Sequence, residues 1–233
     1  MLGGREVRIE AAPAGVRIDP DGAEVSALVR RYLGEPFDLD AFAAFAVTEP
    51  VLAELVPALR GFRPPLVPDP FEALVTSITA QQISLRAAFS IRNRLIEAFG
   101  ERHTVAYAFP ARERLAAARP EEIVAVGFSR RKAEYVIGLA RAELDLDGLA
   151  LLPDEEVKAA LIAQPGLGDW TADWFLARHL GRPDAWPAGD LGLRKAVLRF
   201  YGDETDVRAA GARFSRFANL AAHYLLVGHR VHG

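Results

Sequence analysis

The chain has no cysteine among its 233 residues. That excludes disulfides, thiolate-bound zinc, an all-cysteine iron–sulfur cluster and a cysteine nucleophile. It has no apolar run of membrane-spanning length, and its opening residues, Met1-Leu2-Gly3-Gly4-Arg5, lack the apolar stretch of a signal peptide. A cytoplasmic home and no membrane partner are the expectations. Strong charge of one sign is missing too. The formal net charge of −3 does not advertise a nucleic-acid binder. The distribution softens this: acids are in excess over residues 1–70, while basic residues gather at Arg86, Arg92 and Arg94, at Arg130, Arg131 and Lys132, and at Arg194, Lys195 and Arg199. A local basic face matters more for phosphate binding than the total.

What is present is a folded composition. Hydrophobic residues make up 51% of the chain, enough for a sizeable core in one large domain or one domain with an appendage. Residues 5–9 and 15–18 read as a short β hairpin turning at Ala12-Pro13-Ala14-Gly15, and 25–33 and 39–45 read as helices. The proline-rich stretch 57–70 marks a boundary, giving an N-terminal segment 1–65 and a second unit 66–233. From Phe71 onward the periodicity is helical throughout. Phe71, Leu74, Val75 and Ile78 form one apolar stripe. Ser84 caps a helix with Leu85, Ala88, Ile91, Leu95 and Phe99 inward, and Ser129 caps 130–144. Asp154 caps 155–163, Trp170 opens 170–180, and Asp190 starts 191–201. Helices at 205–213 and 217–227 finish the chain. The fold class is mainly α: a helical bundle behind a small α/β segment.

The string Gln164-Pro165-Gly166-Leu167-Gly168-Asp169-Trp170-Thr171-Ala172 lies between two of these helices. Gly166 and Gly168 permit the backbone a tight reversal needs, Leu167 anchors the loop, and bare glycines let a phosphate approach the N–H groups at a helix start. Thr171 is expected to add a hydroxyl contact. The carbonyls of Ile162, Gln164 and Leu167 are placed to hold a monovalent cation, Na⁺ or K⁺, between loop and phosphate. Asp169 sets a negative charge beside that site. A bare Gly-x-Gly is more often an ordinary glycine-capped αα-turn, and Pro165, Thr171-Ala172 and the downstream Asp tilt the balance toward a phosphate-binding hairpin; on the residues alone Asp190 reads as an ordinary helix N-cap.

Four blocks together resemble the helix–hairpin–helix DNA glycosylases, in particular the 3-methyladenine DNA glycosylase II branch. They are Ile78-Thr79-Ala80-Gln81-Gln82-Ile83-Ser84, Gly127-Phe128-Ser129-Arg130-Arg131-Lys132-Ala133, the hairpin string, and Pro187-Ala188-Gly189-Asp190-Leu191-Gly192-Leu193. They cover roughly residues 66–227 in the family's order. The resemblance implies Asp190 as the catalytic acid, Trp170, Trp174 and Leu191 lining the base pocket, and Gln81, Gln82 and Ile83 as a wedge in the duplex, with Gln82 inserted. It implies double-stranded DNA carrying damaged bases as partner, a monomer, and no cofactor beyond the hairpin ion. Where relatives that also cut the backbone carry a lysine nucleophile, this chain has Trp170, so hydrolysis without strand cleavage is expected. Lys132 is expected to face solvent or phosphate. Residues 25–65 resemble the end of the family's N-terminal domain, with the β-rich part before it much shortened. Phe214-Ser215-Arg216-Phe217-Ala218 departs from the family's tryptophan- and arginine-bearing run, and Leu226 stands where an aromatic is common, which implies a less aromatic pocket.

Overall fold

The computed structural model describes residues 1–2, 4–13 and 15–231. Strands β1 (Arg8–Ala12) and β2 (Gly15–Asp19) pair antiparallel, with Arg8 opposite Asp19 and Ala12 opposite Gly15. The first strand therefore lies later than residues 5–9, because the closest possible return pairs Ala12 with Gly15. Ala14, part of the expected turn, lies outside the described residues.

Helices follow: α1 (Ala23–Tyr32), α2 (Leu39–Ala46), α3 (Pro50–Ala58), α4 (Pro70–Ala80), α5 (Leu85–Phe99), α6 (Arg112–Ala116), α7 (Pro120–Ala125) and α8 (Arg130–Arg141). The remainder are α9 (Asp154–Ile162), α10 (Asp169–Phe175), α11 (Leu191–Tyr201), α12 (Val207–Ala210) and α13 (Ala218–Val231). Helix α10 runs on into a π-helical turn, Leu176–Leu180, that stops at Gly181 (φ 69°). The helix expected at 205–213 is only α12, after which Gly211–Phe217 winds as 3-10 with Ser215 out of helical geometry (φ 48°). Ser84 and Ser129 accept from the N–H groups of Ala87 and Lys132, as N-caps do.

Three local expectations are corrected. Asp154 is the first residue of its helix, not the cap; Pro153 holds that position and the carboxylate pairs with Arg182 at 3.0 Å. Leu85 is 47% exposed rather than inward. Helix α8 stops at Arg141, short of 144, where the Arg112 guanidinium gathers the carbonyls of Ala140, Ala142 and Leu144. Helix α3 has no forerunner in the sequence reading. Glu49 caps it, and Pro57 falls in its last turn, where a proline ends a helix without breaking it.

Helix α13 is the axis of the core, with every residue from Ala218 to Leu226 buried. The same core holds Phe42, Leu52 and Leu66 from before α4, Leu74 and Ile78 from α4 itself, and Phe175, Val197 and Phe214 from after it. A separate small cluster, Leu2, Val25 and Val29, lies under the hairpin. The helices before residue 65 are fastened to the rest by polar contacts as well. The Tyr201 hydroxyl donates to the buried Glu49 carboxylate at 2.9 Å, and the Tyr224 hydroxyl donates to the Phe62 carbonyl at 2.8 Å. Burial and the Glu49 charge push the Tyr201 phenol up, so it stays a donor.

Candidate active site

The turn between α9 and α10 is tied at its entry by Leu161 and Gln164 carbonyls, which accept from the N–H groups of Gln164 and Leu167. Gly166 takes φ 88°, and a Cβ there would meet the Tyr135 ring at 2.3 Å. Leu167 is 5% exposed and plugs the core. Gly168 is extended and faces open space, with nothing within 4 Å of a built Cβ. Among the described residues, the N–H groups of Gly168, Asp169 and Trp170 meet no acceptor, so the turn presents bare donors at the start of α10. Thr171 is 1% exposed, and its hydroxyl lies 3.5 Å from Gln81 Nε2, on the inner side of the turn. Of the carbonyls singled out for a cation, Gln164's accepts from Leu167, while Ile162's and Leu167's accept nothing outside a helix among the described residues.

Asp190 is held on three sides. Its Oδ1 caps α11 by accepting from Leu193 N–H at 2.9 Å. Its Oδ2 accepts from two indoles, Trp170 Nε1 at 2.9 Å and Trp174 Nε1 at 3.0 Å. Those tryptophans lie four residues apart on α10, so one helix face delivers both donors. Gly192 leaves the space: a Cβ there would be 3.1 Å from Oδ1. A carboxylate offers about four acceptor sites, and three are filled. The fourth, on Oδ1, meets no donor among the described residues.

The indoles differ in exposure. Trp170 is partly exposed, whereas Trp174 is 5% exposed. One face of Trp174 carries the Arg178 guanidinium, 4.0 Å from the ring centroid, and His223 of α13 meets the ring edge-on at 5.6 Å. Trp174 therefore orients Asp190 and presents no open face. His223 is buried; desolvation and the nearby Arg178 charge lower its pKa to about 3, so it is neutral. Leu191, next to the acid, is 66% exposed. Arg178 escaped the sequence reading, although its signal was present: Trp170, Trp174 and Arg178 repeat at four-residue intervals on one helix.

A second turn, between α4 and α5, adjoins the hairpin. Gln82 adopts φ 57° and is exposed, as is Ile83. Gln81 points the other way, and its Nε2 donates to the Gly166 carbonyl at 2.8 Å, coupling the turns. Lys132 does not face solvent or phosphate as expected. Its ammonium donates to the carbonyls of Thr79 (2.9 Å) and Gln81 (2.6 Å), satisfying the C-terminal end of α4. Burial lowers its pKa. Much of the expected basic face is internally neutralised: Arg92 pairs with Glu72, and Arg130 with Glu121 and Glu134. Arg194 and Lys195 on α11 are exposed and, among the described residues, carry no ion pair.

Residues 75–217, from within α4 through the hairpin to the 3-10 segment after α12, match the model of the HhH-GPD superfamily base excision DNA repair proteins. The chain belongs to that family. Within the HhH-GPD superfamily it is 34% identical over 179 residues to a Bacillus subtilis protein named DNA-3-methyladenine glycosylase, covering 72% of this chain and 59% of that one. It is 32% identical over 198 residues to DNA-3-methyladenine glycosylase 2 of Escherichia coli, covering 80% and 68%. The solved 3-methyladenine DNA-glycosylase of Archaeoglobus fulgidus superposes with a TM-score of 0.87 at 29% identity, over 100% of this chain and 86% of that one. The chain thus spans 59% of the B. subtilis relative's length, and the HhH-GPD match itself begins at residue 75.

Proposed function

We propose that the chain is a monofunctional DNA glycosylase that flips alkylated purines of the 3-methyladenine and 7-methylguanine type out of duplex DNA and hydrolyses their N-glycosidic bond. One observation carries the reading: a single carboxylate held by two indole N–H groups and its own helix start, with one acceptor site spare. Breaking the bond between the sugar and the base builds positive charge on the deoxyribose. Asp190, fixed in advance by three donors, stabilises that charge without reorganising. Its spare Oδ1 site orients a water, which adds to the anomeric carbon as the base departs with the bonding pair, and the water's proton passes to the carboxylate.

Around that centre the hairpin N–H groups of Gly168, Asp169 and Trp170 grip a phosphate, Gln82 and Ile83 fill the gap left by the flipped nucleotide, and Trp170 and Leu191 wall the base. Carbonyl oxygens of Ile162, Gln164 and Leu167 suit a hard monovalent cation, which would add one positive charge beside the phosphate. No lysine reaches the sugar from the hairpin, and Lys132 is occupied at α4, which supports hydrolysis without strand cleavage. On this reading the protein works as a monomer on the nucleoid in the cytoplasm. No helix among the described residues is long and apolar enough to cross a membrane.

The test is base release from methylated duplex DNA. Asp190→Asn is expected to lower 7-methylguanine release by about a thousandfold while duplex binding persists, and wild-type product is expected to stay uncut until alkali is added. Equal release by the variant removes Asp190 from the chemistry. Binding without any release by the wild type favours a DNA-structure-binding protein instead.

A further inference from the structure

One cation beside the acid has no ion-pair partner. Among the described residues Arg178 forms no ion pair and no side-chain hydrogen bond, and its guanidinium lies over the face of Trp174. It is exposed, yet the protein around it lowers its pKa to about 10 by desolvation. Asp190 is the carboxylate whose charge acts on it, and Arg230 is the other charged group in range. His223, behind the same indole, is neutral and relieves nothing. Arg178 thus approaches the site along the helix face that also carries Trp170 and Trp174, and it keeps five N–H donors free.

We propose that Arg178 is a specificity-determining residue that favours excision of neutral purines, whose departing base is an anion, over purines that are already cationic. The inference rests on the glycosylase reading above. Charge balance supplies the reason. When the bond from the sugar to a cationic 7-methylguanine breaks, the bonding pair cancels the charge on the base, which leaves neutral. When the same bond breaks in a neutral purine such as hypoxanthine, the pair leaves a negative charge on the ring until solvent supplies a proton. A guanidinium aimed at the base stabilises that charge and hydrogen-bonds the O6 and N7 acceptors of an oxopurine. The same guanidinium repels a cationic base and already covers the indole face on which such a base would stack. A pocket for cationic purines alone gains nothing from an unpaired cation.

The experiment compares single-turnover release of hypoxanthine and of 7-methylguanine, each from a defined duplex, by wild type, Arg178→Gln and Arg178→Lys. Thermal melting checks that each variant is folded. Arg178→Gln is expected to slow hypoxanthine release by about 100-fold and 7-methylguanine release far less, with Arg178→Lys recovering part of the hypoxanthine rate. A parallel fall for both bases overturns the proposal, because loss of the contact on Trp174 affects both alike. So does an unchanged hypoxanthine rate, or a lysine variant no better than glutamine. Should the wild type release 7-methylguanine but no hypoxanthine, this inference fails and the glycosylase reading stands. Should it release neither, both fail.

Discussion

The two turns coupled by Gln81 solve the same steric problem in opposite ways. The hairpin turn reverses on a glycine at φ 88° and leaves three backbone N–H groups bare. The α4–α5 turn reverses on Gln82 at φ 57°, where most side chains are strained, and has its carbonyls claimed by Lys132. One turn offers main chain and hides its side chains, Leu167 and Thr171. The other hides main chain and offers side chains, Gln82 and Ile83. A phosphate is the same at every nucleotide, so backbone donors suffice for it. A gap in a base stack has volume, and only a side chain fills it.

Three substitutions probe the contrast. The largest expected effect is at Gly166. Alanine there meets the Tyr135 ring at 2.3 Å in a left-handed backbone, so Gly166→Ala should destabilise the fold by about 3 kcal/mol in urea unfolding, combining conformational and overpacking costs. Lys132→Met comes next. Losing a charged donor to two carbonyls should cost about 1.5 kcal/mol and slow release from duplex while sparing single-stranded substrate, which needs no wedge. An equal loss on both substrates would show that Lys132 does not act through the turn. Gly168→Ala should be the mildest for folding, within about 0.5 kcal/mol, because its Cβ meets nothing. It should still weaken DNA binding about tenfold by holding a phosphate off the N–H groups. If binding by Gly168→Ala is unchanged in a fluorescence titration, the hairpin does not grip the backbone there.

Much of the site's framework was legible because it is local. The Asp190 cap, the Ser84 and Ser129 caps, the buried Leu167 and the i, i+4 tryptophans are all set by neighbours within a helical turn. What was missed depends on distant partners. Lys132 reaches carbonyls some fifty residues away, at Thr79 and Gln81, and no spacing rule connects them. The closure of Trp174 depends on His223 from α13. The sequence marked 57–70 as a break because proline disfavours helices, yet Pro57 ends α3, whose Leu52 and Leu55 share one core with Phe175 and Phe214. Leu85 followed the apolar pattern but faces solvent beside the exposed Ile83 and Phe89, where sequence periodicity cannot tell a core stripe from a ligand-facing one.

The bond between Tyr201 and Glu49 has a consequence for how the acid keeps its depth. Tyr201 ends the helix that Asp190 begins, and Glu49 begins α3. Eleven residues make a rod about 16 Å long, moored at its far tip to the leading helices. A slip of that mooring would slide the carboxylate along the rod's axis, so trimming the chain to the family-matched residues 75–217 would remove Glu49 and shift Asp190 without altering any group near it.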